Sequence, residues 1–323
     1  MARIPAPVAA VRTAVRRVLS PATGPVLVAC SGGADSLALA AATAFLAPRL
    51  GVRAGLVTVD HQLQEGSAGR AQTVARWAQS AGLDPVEVAT VEVGGRPGGP
   101  EAAAREARYA ALTAAAARTG AELVLLGHTR DDQAETVLLA LARGAGPRGL
   151  AGMPVRRGIF VRPLLDVVRA DTRKACAALG LATWEDPHNS DSAYARARVR
   201  ATALPVLVET LGAGVVGNLA RTASLLATDA DLLDSLAASA LTDALDEAGG
   251  LAVPALAKLH PALLGRVLHA WCRSLGAPPA ALSHRHVAAL EAMITDWHGQ
   301  GHAVLPGGIA VARKDGLLRR VML

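Results

Sequence analysis

The sequence predicts an α/β protein: a parallel twisted sheet with helices on both faces, followed by a smaller, mainly helical C-terminal domain with a short strand pair. Three observations predict it. From residue 25 to about 180, apolar positions alternate between strand-like and helix-like periods, the pattern of a parallel sheet covered by helices. A serine- and glycine-rich turn at residues 31–36 joins an apolar strand to an apolar helix. After Tyr194 the strand periods give way to helical ones. The division is expected near residue 215, with a catalytic domain at 1–215 and a second domain at 216–323.

The first strand is the run Val26-Leu27-Val28-Ala29-Cys30, and residues 37–46 are the apolar helix after the turn. Residues 52–59 read as a strand, 69–81 as a helix and 85–93 as a strand. A Gly/Pro loop at 94–100 precedes an alanine-rich helix at 101–119, a short buried strand at 122–127 and a helix at 131–143. Beyond Tyr194, residues 195–228 are helical with interruptions at Pro205 and at the glycines of 212–217. Amphipathic helices follow at 229–248, 261–275 and 283–297. Short strands with a turn at Lys314-Asp315-Gly316 occupy 301–322. Ligands of parallel sheets bind beyond the carboxyl ends of the strands. The turn at 31–36, the segment after Val59 and the segment after Leu126 all lie at such ends, so chain order brings three candidate segments to one rim.

At 323 residues the chain can bury two cores. No uncharged run of about 18 apolar residues occurs, so a soluble protein with no membrane partner is expected. No apolar stretch follows Arg3, Arg12, Arg16 and Arg17 as a signal peptide would require. Cys30, Cys176 and Cys272 are far apart and form no C-x-x-C pair, which argues against a zinc ribbon or a disulfide framework and for a reducing cytoplasm. The net charge of +6 favours an anionic partner, most simply nucleic acid. Lysine stands only at 174, 258 and 314, so nearly all of that charge is arginine, in keeping with an alanine- and arginine-rich composition.

The turn Ser31-Gly32-Gly33-Ala34-Asp35-Ser36 sets backbone N–H groups and two hydroxyls at a helix N-terminus, where an anion is stabilised. Asp35 adds a carboxylate from which a magnesium ion can bridge to phosphate. The spacing is neither a Walker loop nor a dinucleotide fingerprint. The plainer alternative is a strand–turn–helix with a serine cap. The second segment is Gly127-His128-Thr129-Arg130-Asp131-Asp132-Gln133-Ala134-Glu135-Thr136, in which Asp132 and Glu135 share one helical face and His128 precedes them. An acid-rich first turn is also what a helix dipole favours. Beside a phosphate turn, however, a carboxylate pair is what a magnesium–nucleotide site needs.

The turn at 31–36 resembles the pyrophosphate loop (PP-loop) of the N-type ATP pyrophosphatases, whose fold is adenine nucleotide alpha hydrolase-like. Together with His128-x-x-x-Asp132-x-x-Glu135-Thr136 it is similar to tRNA(Ile)-lysidine synthetases. Further segments fit that family: Val59-Asp60-His61 with Ser67, then Glu101-x-x-x-Arg105-x-x-Arg108-Tyr109. The glycine-rich basic run from Arg143 through Arg148 to Met153 fits too, as does Arg162-Pro163-Leu164-Leu165. Asp186, Asn189, Tyr194, Arg196, Arg198 and Arg200, then Leu204-Pro205, follow its later motif. The likeness is good over about 25–210; beyond, only the length and Leu305-Pro306-Gly307-Gly308 match. Ala197 stands where the family usually carries asparagine.

The resemblance implies a two-step ligase. ATP would adenylate C2–O of the wobble cytidine (position 34) of a CAU-anticodon tRNA(Ile), releasing pyrophosphate. Free L-lysine would then attack C2 and displace AMP, giving lysidine. ATP would lie on Ser31, Gly32, Gly33, Ala34, Asp35 and Ser36, with Mg2+ on Asp35 and Asp132. Asp35, His128, Asp132 and Glu135 are the candidate catalytic groups, the last three also candidates for the base that neutralises the amine. Arg105, Arg108, Arg143, Arg148, Arg196, Arg198 and Arg200 are candidates for tRNA contact, against the alternative of solvated arginine faces. The C-terminal domain would bind tRNA, and a homodimer stays open. With Arg156, Arg157 and Arg162, the basic stretch from Arg143 suits phosphate contact and shape recognition; Phe160 is its one ring, so base stacking is not supported there. Other PP-loop enzymes are the alternatives. Thiolation is disfavoured by the lack of paired cysteines, and an amidating synthetase by the basic segments. A catalytically dead RNA-binding shell is disfavoured by the intact acids. His284 and His286 have no standard metal spacing and read as surface or packing residues, and Trp271 and Trp297 read as core.

Overall fold

The computed structural model describes residues 4–62, 66–92, 100–185, 191, 193–279 and 281–322. The loop at 94–99 and the motif residues Asp186 and Asn189 lie outside the described residues, as does the side chain of Glu101. The chain divides into two units, Met1–Leu225 and Leu226–Leu323.

The first unit is built on four parallel strands, β1 (Val26–Ala29), β2 (Ala54–Asp60), β3 (Val86–Thr90) and β4 (Leu123–Leu126), in the order β3-β2-β1-β4. Two short strands extend that edge: β5 (Arg156–Arg157) pairs antiparallel with β6 (Phe160–Val161), which pairs parallel with β4. Successive strand residues face opposite sides of the sheet. Val26 and Val28 of β1, with Leu56 and Leu125 beside them, join one core with α1 (Ala6–Leu19), α2 (Ala34–Leu46), α3 (Ser67–Ser80) and the helix Arg169–Ala178. Leu27, Val57, Val124 and Leu126 face the other way, onto Leu112, Ala115 and Ala116 of α4 (Pro100–Thr119). Both faces are therefore covered, which is why these strands read as continuous apolar runs. The helix α5 (Arg130–Ala142) leaves β4 at the same rim where α2 leaves β1.

The elements expected up to residue 143 occur within a few residues of their places. Helix α1 was not anticipated, although Val8, Val11, Val15 and Leu19 bury one stripe of it at helical spacing. Pro205 stands in the first turn of a separate helix, Leu204–Leu211, at the interruption expected there. A proline removes an N–H and strikes the carbonyl four residues back. The chain absorbs this by widening into a π turn, Val199–Ala203, directly before the helix Leu204–Leu211. That helix ends at Gly212, whose φ of 91° is open to glycine. Gly217 then lies inside one 30-residue helix, Val215–Ala244, which runs through the boundary expected between 228 and 229.

The second unit carries more sheet than the expected strand pair. Strands β7 (Leu251–Ala252), β8 (Ala303–Leu305), β9 (Ile309–Lys314) and β10 (Leu317–Val321) form an antiparallel sheet in the order β7-β10-β9-β8. The helices Pro261–Ser274 and His284–Thr295 bury Leu264, Leu268, Leu290 and Met293 against Val311 and Leu318. Trp271 belongs to this core and donates its indole N–H to the Gly249 carbonyl at 3.0 Å. Trp297 does not: it follows the end of its helix, is 39 % exposed, and lies under the Arg313 guanidinium 5.0 Å from its ring centre. The His260 ring accepts the Ala262 N–H at 3.2 Å and the His286 ring the Ser283 N–H at 3.0 Å, so both histidines cap helices. Among the described residues no single helix is long and apolar enough to cross a membrane.

Leu125 is fully buried at the centre of the larger sheet. Leu125→Ala is expected to lower the unfolding free energy of the first unit by about 2–5 kcal/mol, read as a shift of the urea midpoint at unchanged slope.

Candidate active site

The turn after β1 is tightened by Ser36. Its hydroxyl accepts the Ser31 N–H at 3.2 Å and donates to the Gly33 carbonyl at 3.0 Å, closing residues 31–36 into a cradle. Gly32 takes a φ of 85°, a left-handed conformation that side chains disfavour. Gly127, at the end of β4, leaves the cradle room: a Cβ there would stand 2.9 Å from the Ser36 backbone. The Trp184 N–H donates to the Gly32 carbonyl at 3.0 Å and backs the turn.

The acids converge on this cradle. The Asp132 carboxylate accepts the Thr129 N–H and hydroxyl, both at 2.8 Å, so the same residue caps α5 and faces the site. Its other oxygen takes Arg169 at 2.8 Å and Arg200 at 3.3 Å. Glu135, one turn on, is fully buried and receives three guanidiniums: Arg169 at 3.0 Å, Arg196 at 3.1 Å and Arg200 at 2.8 Å. Arg196 also donates to the Thr136 hydroxyl at 3.0 Å. Asp35 accepts a hydrogen bond from Thr172, while its other oxygen lies 3.6 Å from Arg169 Nε.

These surroundings push the carboxyls apart. Burial raises the Asp35 carboxyl above the usual range, and the charge of Asp132 raises it further. Burial acts the same way on Asp132, but Arg169, the Thr129 N–H and Arg196 outweigh it and hold that carboxyl below its usual range. His128 lies among Arg108, Arg162 and Arg196. Burial, reinforced by those cations against the pull of Asp132, lowers its imidazole to about 3. A neutral imidazole of that kind is a hydrogen-bonding group rather than a base.

A second layer is basic and, among the described residues, shows no carboxylate partner. Arg162 is buried, donating to the Pro154 carbonyl at 2.8 Å and to the Tyr109 hydroxyl at 3.3 Å. Arg105 is exposed and reaches the same hydroxyl at 3.2 Å. Burial and then the neighbouring Arg105 lower the Arg108 guanidinium. Among the described residues, the Nε atoms of Arg108 and Arg162 and the Nδ1 of His128 are buried without a hydrogen-bond partner. Buried donors left in this way are what an incoming anion satisfies.

Of the residues singled out in the sequence, Ser31–Ser36, Asp35, His128, Asp132, Glu135, Arg108, Arg196 and Arg200 are thus brought together. Arg143, Arg148 and Arg198 stand exposed elsewhere on the first unit. Gln133 holds the glycine-rich run: its side-chain amide donates to the Met153 carbonyl at 3.0 Å and accepts the Met153 N–H at 2.8 Å. Ala197 is buried and adds no polar group, so Arg196 and Arg200 are the residues by which that turn reaches the acids. Arg169 and Thr172 were missed, because nothing local in Val168-Arg169-Ala170-Asp171-Thr172 points to residues 35, 132 and 135. Among the described residues no group of three His, Cys, Asp or Glu side chains could hold a metal ion. Magnesium commonly binds through one or two carboxylates plus phosphate oxygens, and Asp35 fits that mode. One of its oxygens makes no hydrogen bond among the described residues, whereas both oxygens of Asp132 are engaged.

The imidazole of His128 charges near its ordinary 6.5 only when the chain unfolds. A lowered folded-state value means that the unfolded chain binds the extra proton between about 6.5 and about 3. The wild-type protein should therefore lose stability relative to His128→Gln as pH falls from 7.5 to 5, measured by paired urea titrations.

A PP-loop domain family model matches residues 9–207, and a TilS substrate binding domain model matches residues 251–319. The chain is 67 % identical to a tRNA(Ile)-lysidine synthase of Salinispora arenicola, over 98 % of this chain and 97 % of the relative. It is 56 % identical to one of Thermobifida fusca, over 97 % of each. Among solved structures it is similar to the U34-tRNA thiolase NcsA of Methanococcus maripaludis, with a TM-score of 0.57 and 16 % identity, covering 69 % of this chain and 80 % of that one. That likeness concerns the fold.

Proposed function

The chain belongs to the tRNA(Ile)-lysidine synthase family, and from that membership and the geometry of the site we propose how it forms lysidine on tRNA(Ile). It is an ATP-dependent carbon–nitrogen ligase. The observation that carries the mechanism is the placing of a phosphate cradle, an acid cluster and a layer of uncompensated arginines around one rim.

The triphosphate of ATP lies on residues 31–36, where N–H groups and the α2 N-terminus face its charge. Asp35 would hold a magnesium ion, which when bound would supply positive charge against the phosphates. Arg108 and Arg162, desolvated and short of acceptors, stabilise the charge that grows on the leaving phosphates. The C2 oxygen of the wobble cytidine attacks the α-phosphorus, and the P–O bond to pyrophosphate breaks. That oxygen, now bonded to AMP, is a good leaving group. The ε-amine of lysine, neutral when it attacks, then bonds to C2 as the C2–O bond breaks, AMP departs, and the nitrogen passes one proton to the carboxylate of Asp132 or Glu135. His128, held neutral, donates or accepts a hydrogen bond at the reacting cytosine without carrying charge. Asp132 and Glu135 supply negative charge that draws the lysine side chain, and their arginines set its strength.

Exposed Arg105, Arg143, Arg148 and Arg198 are the phosphate contacts for tRNA. The second unit holds the tRNA away from the chemistry. The cytoplasm, where tRNA and free lysine are both found, is the site of action. Thiolation is not favoured: Cys30, Cys176 and Cys272 are buried and unpaired, and burial raises the thiols of Cys176 and Cys272 to about 11.

Purified protein with ATP, magnesium, labelled lysine and bulk bacterial tRNA should label one minor isoleucine tRNA; label that does not depend on lysine identity, or no label, contradicts the reading. Asp35→Ala is expected to abolish pyrophosphate release while filter retention of tRNA is unchanged. Normal turnover in that variant would place the metal elsewhere.

A further inference from the structure

Among the described residues, Arg169 is the one side chain that lies within ion-pair distance of all three carboxylates of the site. Its Nη2 donates to Asp132 at 2.8 Å and to Glu135 at 3.0 Å, and its Nε stands 3.6 Å from Asp35. Arg196 and Arg200 form ion pairs with Glu135, and Arg200 with Asp132 as well, but neither pairs with Asp35. Arg169 is also the most buried of the three, with a side chain 13 % exposed against 29 % and 31 %. Its own backbone is fixed: the Arg169 N–H donates to Asp131 at 2.8 Å, and the Arg130 N–H donates to the Val167 carbonyl at 2.9 Å. The start of its helix is thereby stitched to the start of α5. One turn later in the same helix, fully buried Thr172 donates its hydroxyl to the Asp35 oxygen that Arg169 does not face.

We propose that Arg169 and Thr172 are positioning residues for the nucleotide step: as one unit they aim the Asp35 carboxylate at the cradle and fix its distance from Asp132 and Glu135. Two observations support this independently. The first is geometric: Asp35 has no hydrogen-bond donor in its own segment among the described residues, so its orientation comes from Arg169 and Thr172, 134 and 137 positions away. The second is electrostatic. Arg169, held on a fixed backbone, stands 3.6 Å from Asp35 and 2.8 Å from Asp132, so a cation lies between two carboxylates that would otherwise repel. A guanidinium offers several N–H groups in one rigid plane, which an ammonium does not, so lysine is a poor substitute.

The inference rests on reading Asp35 as the metal-facing carboxylate, and the experiment separates the two. Thr172→Val keeps the shape of a buried side chain and removes one hydroxyl; Arg169→Lys keeps the charge and removes the fork; Arg169→Ala opens space for free guanidinium. Each is compared with Asp35→Asn. Titration of Mn2+ with a non-hydrolysable ATP analogue, followed by calorimetry, reads the site without turnover. Groups that orient a metal ligand are typically worth about 10–100-fold in affinity or rate. Thr172→Val and Arg169→Lys should each weaken Mn2+ binding and slow pyrophosphate release by about that factor; in Thr172→Val, whose hydroxyl bonds neither Asp132 nor Glu135, the KM for lysine should be unchanged. Millimolar guanidinium should restore part of the rate to Arg169→Ala and none to Asp35→Asn. Unchanged metal affinity in both Thr172→Val and Arg169→Lys overturns the proposal while leaving the Asp35 reading intact. Normal metal affinity in Asp35→Asn overturns that reading itself. Should Arg169→Ala not fold, Thr172→Val alone decides, since it deletes no charge.

Discussion

Glu135 is a carboxylate with no access to water, and the site is arranged around what that requires. An ionised group in the interior is tolerated only when its charge is matched and its lone pairs are filled. Glu135 meets the requirement with Arg169, Arg196 and Arg200, and two of those arginines then reach Asp132. The three guanidiniums come from two chain segments, one at the start of the helix Arg169–Ala178 and one in the π-turned stretch after Tyr194. Both are remote in sequence from α5. Removing one partner of such a buried pair typically costs about 3–5 kcal/mol, so these contacts hold the late segments onto the sheet as well as shaping the site. Stability and chemistry here use the same residues.

That sharing explains what the sequence disclosed. The strands, the turn at 31–36 and the acids of α5 are local signals, set by apolar period, glycine and spacing. Asp132 is legible twice over, as a helix cap and as a member of the carboxylate pair. Arg196 and Arg200 stand out as arginines, but their partners do not, because an arginine looks the same facing a phosphate or a buried glutamate. Arg169 carries no local signal at all: its meaning lies in contacts 34 to 134 residues away, a spread that only the folded chain brings together. The second unit shows a similar limit. Its helices follow from amphipathic period, whereas β7 is two residues long and exists because Leu251 and Ala252 pair with Leu318 and Leu317.

The fold shared with a thiolase at 16 % identity puts the weight of specificity on the site rather than the architecture. A cradle of this kind at the end of the first strand, read as a phosphate site, does not by itself choose the acceptor. What differs is the acceptor and what activates it. In this chain the thiols are buried and protonated, and the groups aimed at the rim are carboxylates, guanidiniums and a neutral imidazole. Those suit an attacking oxygen and an attacking amine, not sulfur.

The balance of charge explains why the site needs its substrates. Asp35, Asp132 and Glu135 are offset by Arg169, Arg196 and Arg200, three against three. Arg105, Arg108 and Arg162 are left over, and among the described residues their guanidiniums meet only a phenol, a ring face and a backbone carbonyl. Positive charge is held here at a cost: burial first, and the neighbouring cations after it, lower the Arg108 guanidinium and the His128 imidazole. Binding a polyanion relieves it. The same excess would be relieved best by the state in which negative charge has moved outward onto departing pyrophosphate. On the mechanism proposed above, that arrangement would be complementary to the charge distribution of the first chemical step, which is the condition for lowering its barrier rather than merely tightening the binding of ATP.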